Sequence, residues 1–388
     1  MEENMADANN APSDALFNLY KAWGQGGTGL IITGNVMVDY RGMTSPGGVV
    51  LEEDSELDKF KHWATTAKTG GSTVWMQINH PGRQMPANLG QTAIAPSAIP
   101  MNLGKLSKNF APVREMSDSD ISDMIERFAR TASLAEQAGF DGVQIHAAHG
   151  YLISQFLSPL SNQRNDRWGG SIENRARLLI EVIRAVNACV GDTFAISVKL
   201  NSADFQRGGF SPEEAAAVIS MLNSERVDLV ELSGGSYEAP AMQGDARDGR
   251  TLDREAFFLT FAQDIAQHAN MPIMVTGGIR RLEVANKVLE SGIDMVGIAS
   301  ALAIVTDLPK QWKEGEHISP RFPAFHWRQK TLAALAYMAI VKYQLRRIAR
   351  GKGSRPNVAP WWAFIVQQVI LLRRAQRYQR WAKQRLKG

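Results

Sequence analysis

Residues 142–175 read GVQIHAAHGYLISQFLSPLSNQRNDRWGGSIENR, and the opening of this stretch decides the fold. Gly142-Val143-Gln144-Ile145 has the character of a short buried strand. It stops at a polar cluster that holds His146, His149 and Tyr151. Two imidazoles and a phenol therefore stand close to one strand end. In a parallel barrel the C-terminal strand ends carry the chemistry. Taken alone, the histidine pair fits two satisfied core side chains or a metal pair equally well.

Outward from this stretch, apolar strands alternate with amphipathic helices. Seven strands are predicted to start at Gly29, Val74, Val143, Phe194, Asp228, Pro272 and Asp294. Residues 117–120 and 211–214 have the pattern of capping boxes, each opening a helix. Residues 81–112, rich in Pro, Asn, Gly and Ser, are predicted to form one long loop of the kind that shapes a site. Strict alternation of strand and helix specifies a parallel sheet covered by helices. No G-x-G-x-x-G follows the first strand, which weakens the open dinucleotide-binding sheet against the other solution, a (β/α)8 TIM barrel. Seven strands are one short of closure. The expectation is an N-terminally incomplete barrel over residues 1–320, its open seam lying between the strands at Gly29 and Asp294. A basic helical extension over 321–388 follows.

The chain has 388 residues, 44% of them hydrophobic, enough for a sizeable core without staples. One cysteine, Cys189, excludes an intramolecular disulfide and any cysteine-ligated zinc or iron–sulfur centre. No basic-then-apolar leader starts the sequence, so a cytoplasmic protein is expected. The net charge of +4 hides a division: residues 321–388 carry 16 Lys/Arg and no Asp or Glu, leaving 27 basic against 39 acidic side chains in the first 320.

Three more strand ends bear polar groups. Gln77 offers a donor and an acceptor, which suits the imide edge of a planar heterocycle. Lys199, inside an apolar strand, is costly unless it meets an anion or a developing negative charge. Gly277-Gly278 would expose backbone N–H groups at a helix start, a cradle for phosphate where such barrels commonly bind it. The glycines also fit a plain tight turn, and the lysine a structural ion pair or a Schiff-base amine of an aldolase.

The segments GLIITGNVMV, WMQINHPGRQ, GFDGVQIHAAHGYLISQFLSPLSNQRNDRWGGSIENRARLL, VKLNSADF, ELSGGSYEAP and MVTGGIR resemble the NADH:flavin oxidoreductases of the old yellow enzyme family. The resemblance runs in order to about residue 308. It implies a barrel that holds FMN, takes hydride from NADH or NADPH, and passes it to the β-carbon of an α,β-unsaturated carbonyl or similar alkene. By the same resemblance Gln77 and Lys199 would meet the flavin pyrimidine edge. Gly277, Gly278, Ala299 and Ser300 would hold the phosphate, and Met1, Gly34 and Asn35 would approach the ring. His146 and His149 would bind the substrate carbonyl oxygen, and Tyr151 would protonate the α-carbon.

Three departures from the family pattern carry expectations of their own. The first barrel strand lies before Met1, so weak FMN retention is expected, and turnover could be lost while flavin binding persists. Ala299-Ser300 replaces a Gly-Arg pair, leaving Arg280 or Arg281 as the phosphate cation. Glu2 stands where some relatives carry a redox-tuning cysteine or threonine. The tail's two apolar runs, 332–341 and 361–372, are too short to span a bilayer. Docking on the acidic barrel or on a second subunit is the favoured role. Peripheral membrane contact comes second, and nucleic acid is not expected as a partner.

Overall fold

The computed structural model describes residues 2–239, 255–256, 258–322, 325, 327 and 330–385. Met1 and the first part of the helix expected over 253–269 lie outside the described residues.

Helix α1 (Asp14–Gln25) leads to β1 (Leu30–Ile32), β2 (Val36–Met37) and β3 (Val49–Val50). Next come α2 (Leu57–Ala67), β4 (Thr73–Asn79), β5 (Ala93–Ala95) and β6 (Val113–Glu115). The middle of the chain holds α3 (Asp118–Gln137), β7 (Gly142–Ala147), α4 (Leu152–Leu157), α5 (Ile172–Cys189), β8 (Ala195–Asn201), α6 (Pro212–Leu222) and β9 (Leu229–Ser233). It continues through α7 (Leu259–Ala266), β10 (Ile273–Thr276), α8 (Leu282–Glu290), β11 (Met295–Gly297) and α9 (Leu308–Lys313) to α10 (Lys330–Ile348) and α11 (Pro360–Arg385).

All seven expected strands form, and they pair in parallel in the order β11-β10-β9-β8-β7-β4, with β1 and β2 both on β4. β1 and β2 form one interrupted strand. Its break at Thr33-Gly34-Asn35 is bridged where the Gln77 N–H donates to Thr33 Oγ1 at 3.0 Å. Two expectations need correction. Residues 81–112 are not a plain loop: β5 pairs with β6 in a separate two-stranded sheet, and short 3-10 turns occupy Ala87–Leu89 and Gly104–Asn109. Helix α4 and the two-residue strands β2 and β3 were not expected either, because elements that short carry no readable period.

In β4, β7, β8 and β9 the helix-facing positions are apolar. Met76, Ile78, Val143, Ile145, Ile196, Val198, Leu200, Val230 and Leu232 face the helices in the main core. The alternate positions toward the strand ends are polar and buried inside the barrel: Gln77, Gln144, His146, Ser197, Lys199, Glu231 and Ser233. This period-two split is what a sheet wrapped around a polar interior requires.

β1 and β11 do not pair, so among the described residues the sheet does not close. Side chains and a helix bridge the gap instead. Trp23 Nε1 donates to the Leu302 carbonyl at 3.1 Å, and the Lys310 N–H to the Gly26 carbonyl at 3.2 Å. α10 packs on α1, where Asn18 Nδ2 donates to the Ala349 carbonyl at 3.2 Å. Val341, Leu345 and Ala349 join the main core, and Ala375, Tyr378 and Ala382 of α11 join a second cluster with Met37, Met43 and Met85. The tail thus docks on its own barrel through one face of each helix.

Candidate active site

The site is built from neighbouring strands. In register, Gln77 lies beside Gln144, His146 beside Lys199, and Lys199 beside Glu231. Their side chains form one polar chain across the interior. Gln77 Nε2 donates to Gln144 Oε1 at 2.7 Å, Gln144 Nε2 donates to Glu231 Oε2 at 2.9 Å, and Lys199 Nζ donates to Glu231 Oε1. Sequence reasoning missed Gln144 and Glu231. Their signal was available, since each sits two residues before a polar strand-end group on the same face. One step above Gln77, fully buried Asn79 has no partner for either Oδ1 or Nδ2.

At the end of β7 the rings of His146, His149 and Tyr151 converge. The His146 centroid lies 5.1 Å from that of His149 and 4.9 Å from that of Tyr151. The chain reaches this arrangement by a sharp turn in which His149 takes a positive φ of 60° and Gly150 follows at 73°. A left-handed histidine persists only where its surroundings over-determine it. Here the His149 N–H donates to Asn201 Oδ1 at 3.0 Å, its carbonyl accepts from Gln84 Nε2 at 2.9 Å, and its Nε2 lies 2.7 Å from Ser233 Oγ.

The protonation states follow from burial and contacts. Burial holds both imidazoles well below their ordinary pKa, with the Lys199 charge adding to it, so both are neutral. The Ala148 N–H donates to His146 Nδ1 at 3.2 Å, which leaves the His146 proton on Nε2 as a donor. Burial also raises the Tyr151 phenol well above its usual value, helped by Tyr237 and Glu2. Its hydroxyl lies 3.0 Å from that of Tyr237, a partner sequence reasoning did not assign.

Glu2 reaches the same phenol at 3.4 Å. Burial alone would raise its carboxyl, but Lys342 of α10, with Thr44 and Asn4, outweighs this and lowers it. Gly34 is needed for close approach: a Cβ there would meet the Glu3 carboxylate at 2.0 Å. Asn35 is buried beside it, and both line a small cavity with Glu2 and Asn4.

Gly277 and Gly278 follow β10 with φ of 139° and 70°, conformations that glycine adopts without a Cβ penalty. Ala299 caps the 3-10 turn Ser300–Ala303 at the end of the neighbouring β11. Arg280 and Arg281 both bind the buried Glu255, at 3.1 and 2.9 Å. Among the described residues no cluster of His, Cys, Asp or Glu could hold a metal ion. A carboxamide, an ammonium group, an unpartnered buried amide and a glycine turn are the donor set that a flavin with its phosphate calls for, and the residues present fit FMN.

The sequence matches the NADH:flavin oxidoreductase / NADH oxidase family over residues 3–318. It is 37% identical over 333 residues to the NADH-dependent flavin oxidoreductase iccE of Talaromyces variabilis, covering 79% of this chain and 80% of that protein. It is 36% identical to iliE of Neonectria sp. over 79% of this chain, and there it spans 43% of the relative's length. A solved 2-naphthoyl-CoA reductase superposes with a TM-score of 0.74 at 28% identity, covering 81% of this chain and 49% of that one. The Zymomonas mobilis old yellow enzyme homologue, at 24% identity and a TM-score of 0.68, shares the fold. The polar barrel interior, the converging rings and these matches lead to one assignment: the chain belongs to the NADH:flavin oxidoreductase / NADH oxidase family, whose fold is the old yellow enzyme barrel.

Proposed function

We propose that this chain is an FMN-dependent reductase of activated alkenes, taking its reducing equivalents from NADH or NADPH. One observation carries the reading. Two neutral imidazoles and a protonated phenol converge on the rim of the interior that holds Gln77 and Lys199. FMN, when bound, supplies a hydride to the β-carbon of the alkene.

The chain's own residues do the rest. Gln77, freed from Gln144, pairs with the imide edge, and Lys199 sets a positive charge beside it. Gly277, Gly278, Ala299 and Ser300 hold the phosphate. His146 donates from Nε2 to the substrate carbonyl oxygen, and His149 joins it through the tautomer that Ser233 allows. These donors stabilise the negative charge that grows on that oxygen as hydride reaches the β-carbon. Tyr151 then gives its proton to the α-carbon, and Tyr237, within hydrogen-bond reach, can restore it. Hydride and proton together saturate the double bond.

A conjugated carbonyl substrate is in keeping with the 2-naphthoyl-CoA reductase likeness. Relatives named for NADH and for NADPH both occur, so either nicotinamide is admitted. The family assignment replaces the aldolase alternative, and Lys199 Nζ is engaged by Glu231.

The chain is to be loaded with FMN, bleached anaerobically with NADPH or NADH, and mixed with 2-cyclohexen-1-one. Return of the flavin absorbance with formation of cyclohexanone is expected. A flavin that bleaches but returns only on admission of oxygen would reject alkene reduction and leave a flavin-binding protein.

A further inference from the structure

The tail hairpin has a second face that the barrel does not use. Helix α11 buries Ala363, Gln367, Ala375, Tyr378 and Ala382. On its other side Trp361, Trp362, Ile365, Val369 and Leu372 are between 43% and 59% exposed. These five sit at helical spacing and make one apolar stripe along the first half of the helix. A contiguous exposed patch of large apolar side chains marks a contact surface.

Charge says what meets it. Arg350, Lys352 and Arg355 lie exposed just before the helix, and Arg373, Arg380 and Lys383 continue the exposed face beyond the stripe. The apolar patch is therefore bracketed by cations at both ends, and no acidic residue occurs anywhere in 321–388. An isologous contact with a second copy would press these like-charged rims together. An anionic bilayer reverses the sign: tryptophans settle at the headgroup level, aliphatic side chains enter the acyl boundary, and cations meet phosphates. No helix among the described residues is long and apolar enough to cross a membrane, so the helix would lie on the surface.

We propose that α11 is a two-faced peripheral anchor, binding its own barrel through one face and an anionic lipid surface through the stripe of Trp361, Trp362, Ile365, Val369 and Leu372. Docking and membrane contact are then two sides of one helix. The proposal does not depend on flavin or on turnover.

The test is co-sedimentation of the full chain with phosphatidylcholine vesicles with and without phosphatidylserine. Binding is expected to the anionic vesicles, with a blue shift of tryptophan emission, and to weaken as salt shortens the screening length from about 10 Å at 0.1 M to about 3 Å at 1 M. Replacing Trp361, Trp362 and Ile365 together by serine, all exposed positions, should abolish it while circular dichroism stays unchanged. Arg373→Gln, Arg380→Gln and Lys383→Gln together should weaken it about a hundredfold, near fivefold for each charge. The proposal is overturned by failure to bind anionic vesicles, or by binding that survives the triple serine variant. It is equally overturned if lipid-free chain self-associates through the stripe and the serine variant is monomeric.

Discussion

His80 and His146 are buried, His149 is half-buried, and all three are held below the ordinary imidazole pKa by loss of water, His80 at about 4. His80 shows the cause most simply. Burial removes the water its charged form needs, Nδ1 already accepts from the Gly82 N–H at 3.1 Å, and Gly42 packs against the other nitrogen so closely that a Cβ there would meet Nε2 at 2.3 Å. In the unfolded chain all three would titrate at the ordinary value of 6.5. Below that pH the unfolded state binds more protons than the folded one, so stability rises with pH through this window. The contribution of the neutral rings is complete above 6.5 and is lost as pH falls, for His80 down to about 4. Unfolding free energies from urea titrations between these limits should fall as pH falls, by up to about 1.4 kcal/mol per pH unit for each ring. In His80→Gln the slope should be shallower by one ring's share. A flat unfolding free energy across the window would show that the folded rings take up protons at the ordinary value.

At the scale of elements, caps and periods made most of the barrel legible. Ser117 takes the Asp120 N–H on its Oγ at 3.2 Å while the Asp120 carboxylate accepts the Ser117 N–H at 2.8 Å, the reciprocal box expected from their spacing. Ser211 and Glu214 repeat it. Ser117→Ala should lower the unfolding free energy by about 1 kcal/mol, read from the denaturant midpoint with an unchanged slope. His146, His149 and Tyr151 could be placed together because they occupy one strand end and the turn after it. Glu231 carried a signal on its own strand, but its pairing with Lys199, 32 residues away, follows only from the register of β8 on β9, and Tyr237, 86 residues from Tyr151, could not be placed. The break between β1 and β2 was hidden for a different reason: a side-chain hydroxyl from Thr33 stands in for a ladder bond, and no periodicity records that.

For the whole molecule, the division between an acidic body and a basic tail becomes a set of contacts. Arg385 binds Glu52 and Glu53 at 2.7 and 2.8 Å, and Arg377 donates to the Ala6 carbonyl at 3.0 Å. The stronger tie is apolar. Tyr378 is fully buried among Met37, Met43 and Met85, with its hydroxyl donating to the Tyr40 carbonyl at 2.6 Å. Tyr378→Ala should cost about 3 kcal/mol and open the turn between α10 and α11 to protease. Unchanged stability and protection would mean that α11 is not held there. Tail and site also meet, since Lys342 reaches Asn4 and comes within 3.5 Å of Glu2, the carboxylate beside Tyr151. The most direct measurement is a stopped-flow comparison of Tyr151→Phe with the parent chain, both loaded with FMN and bleached by NADPH. The rate at which 2-cyclohexen-1-one restores the flavin absorbance should fall at least about a hundredfold in the variant, while the rate with oxygen stays the same. Equal rates with the enone would show that the phenol is not the proton donor and would contradict the account.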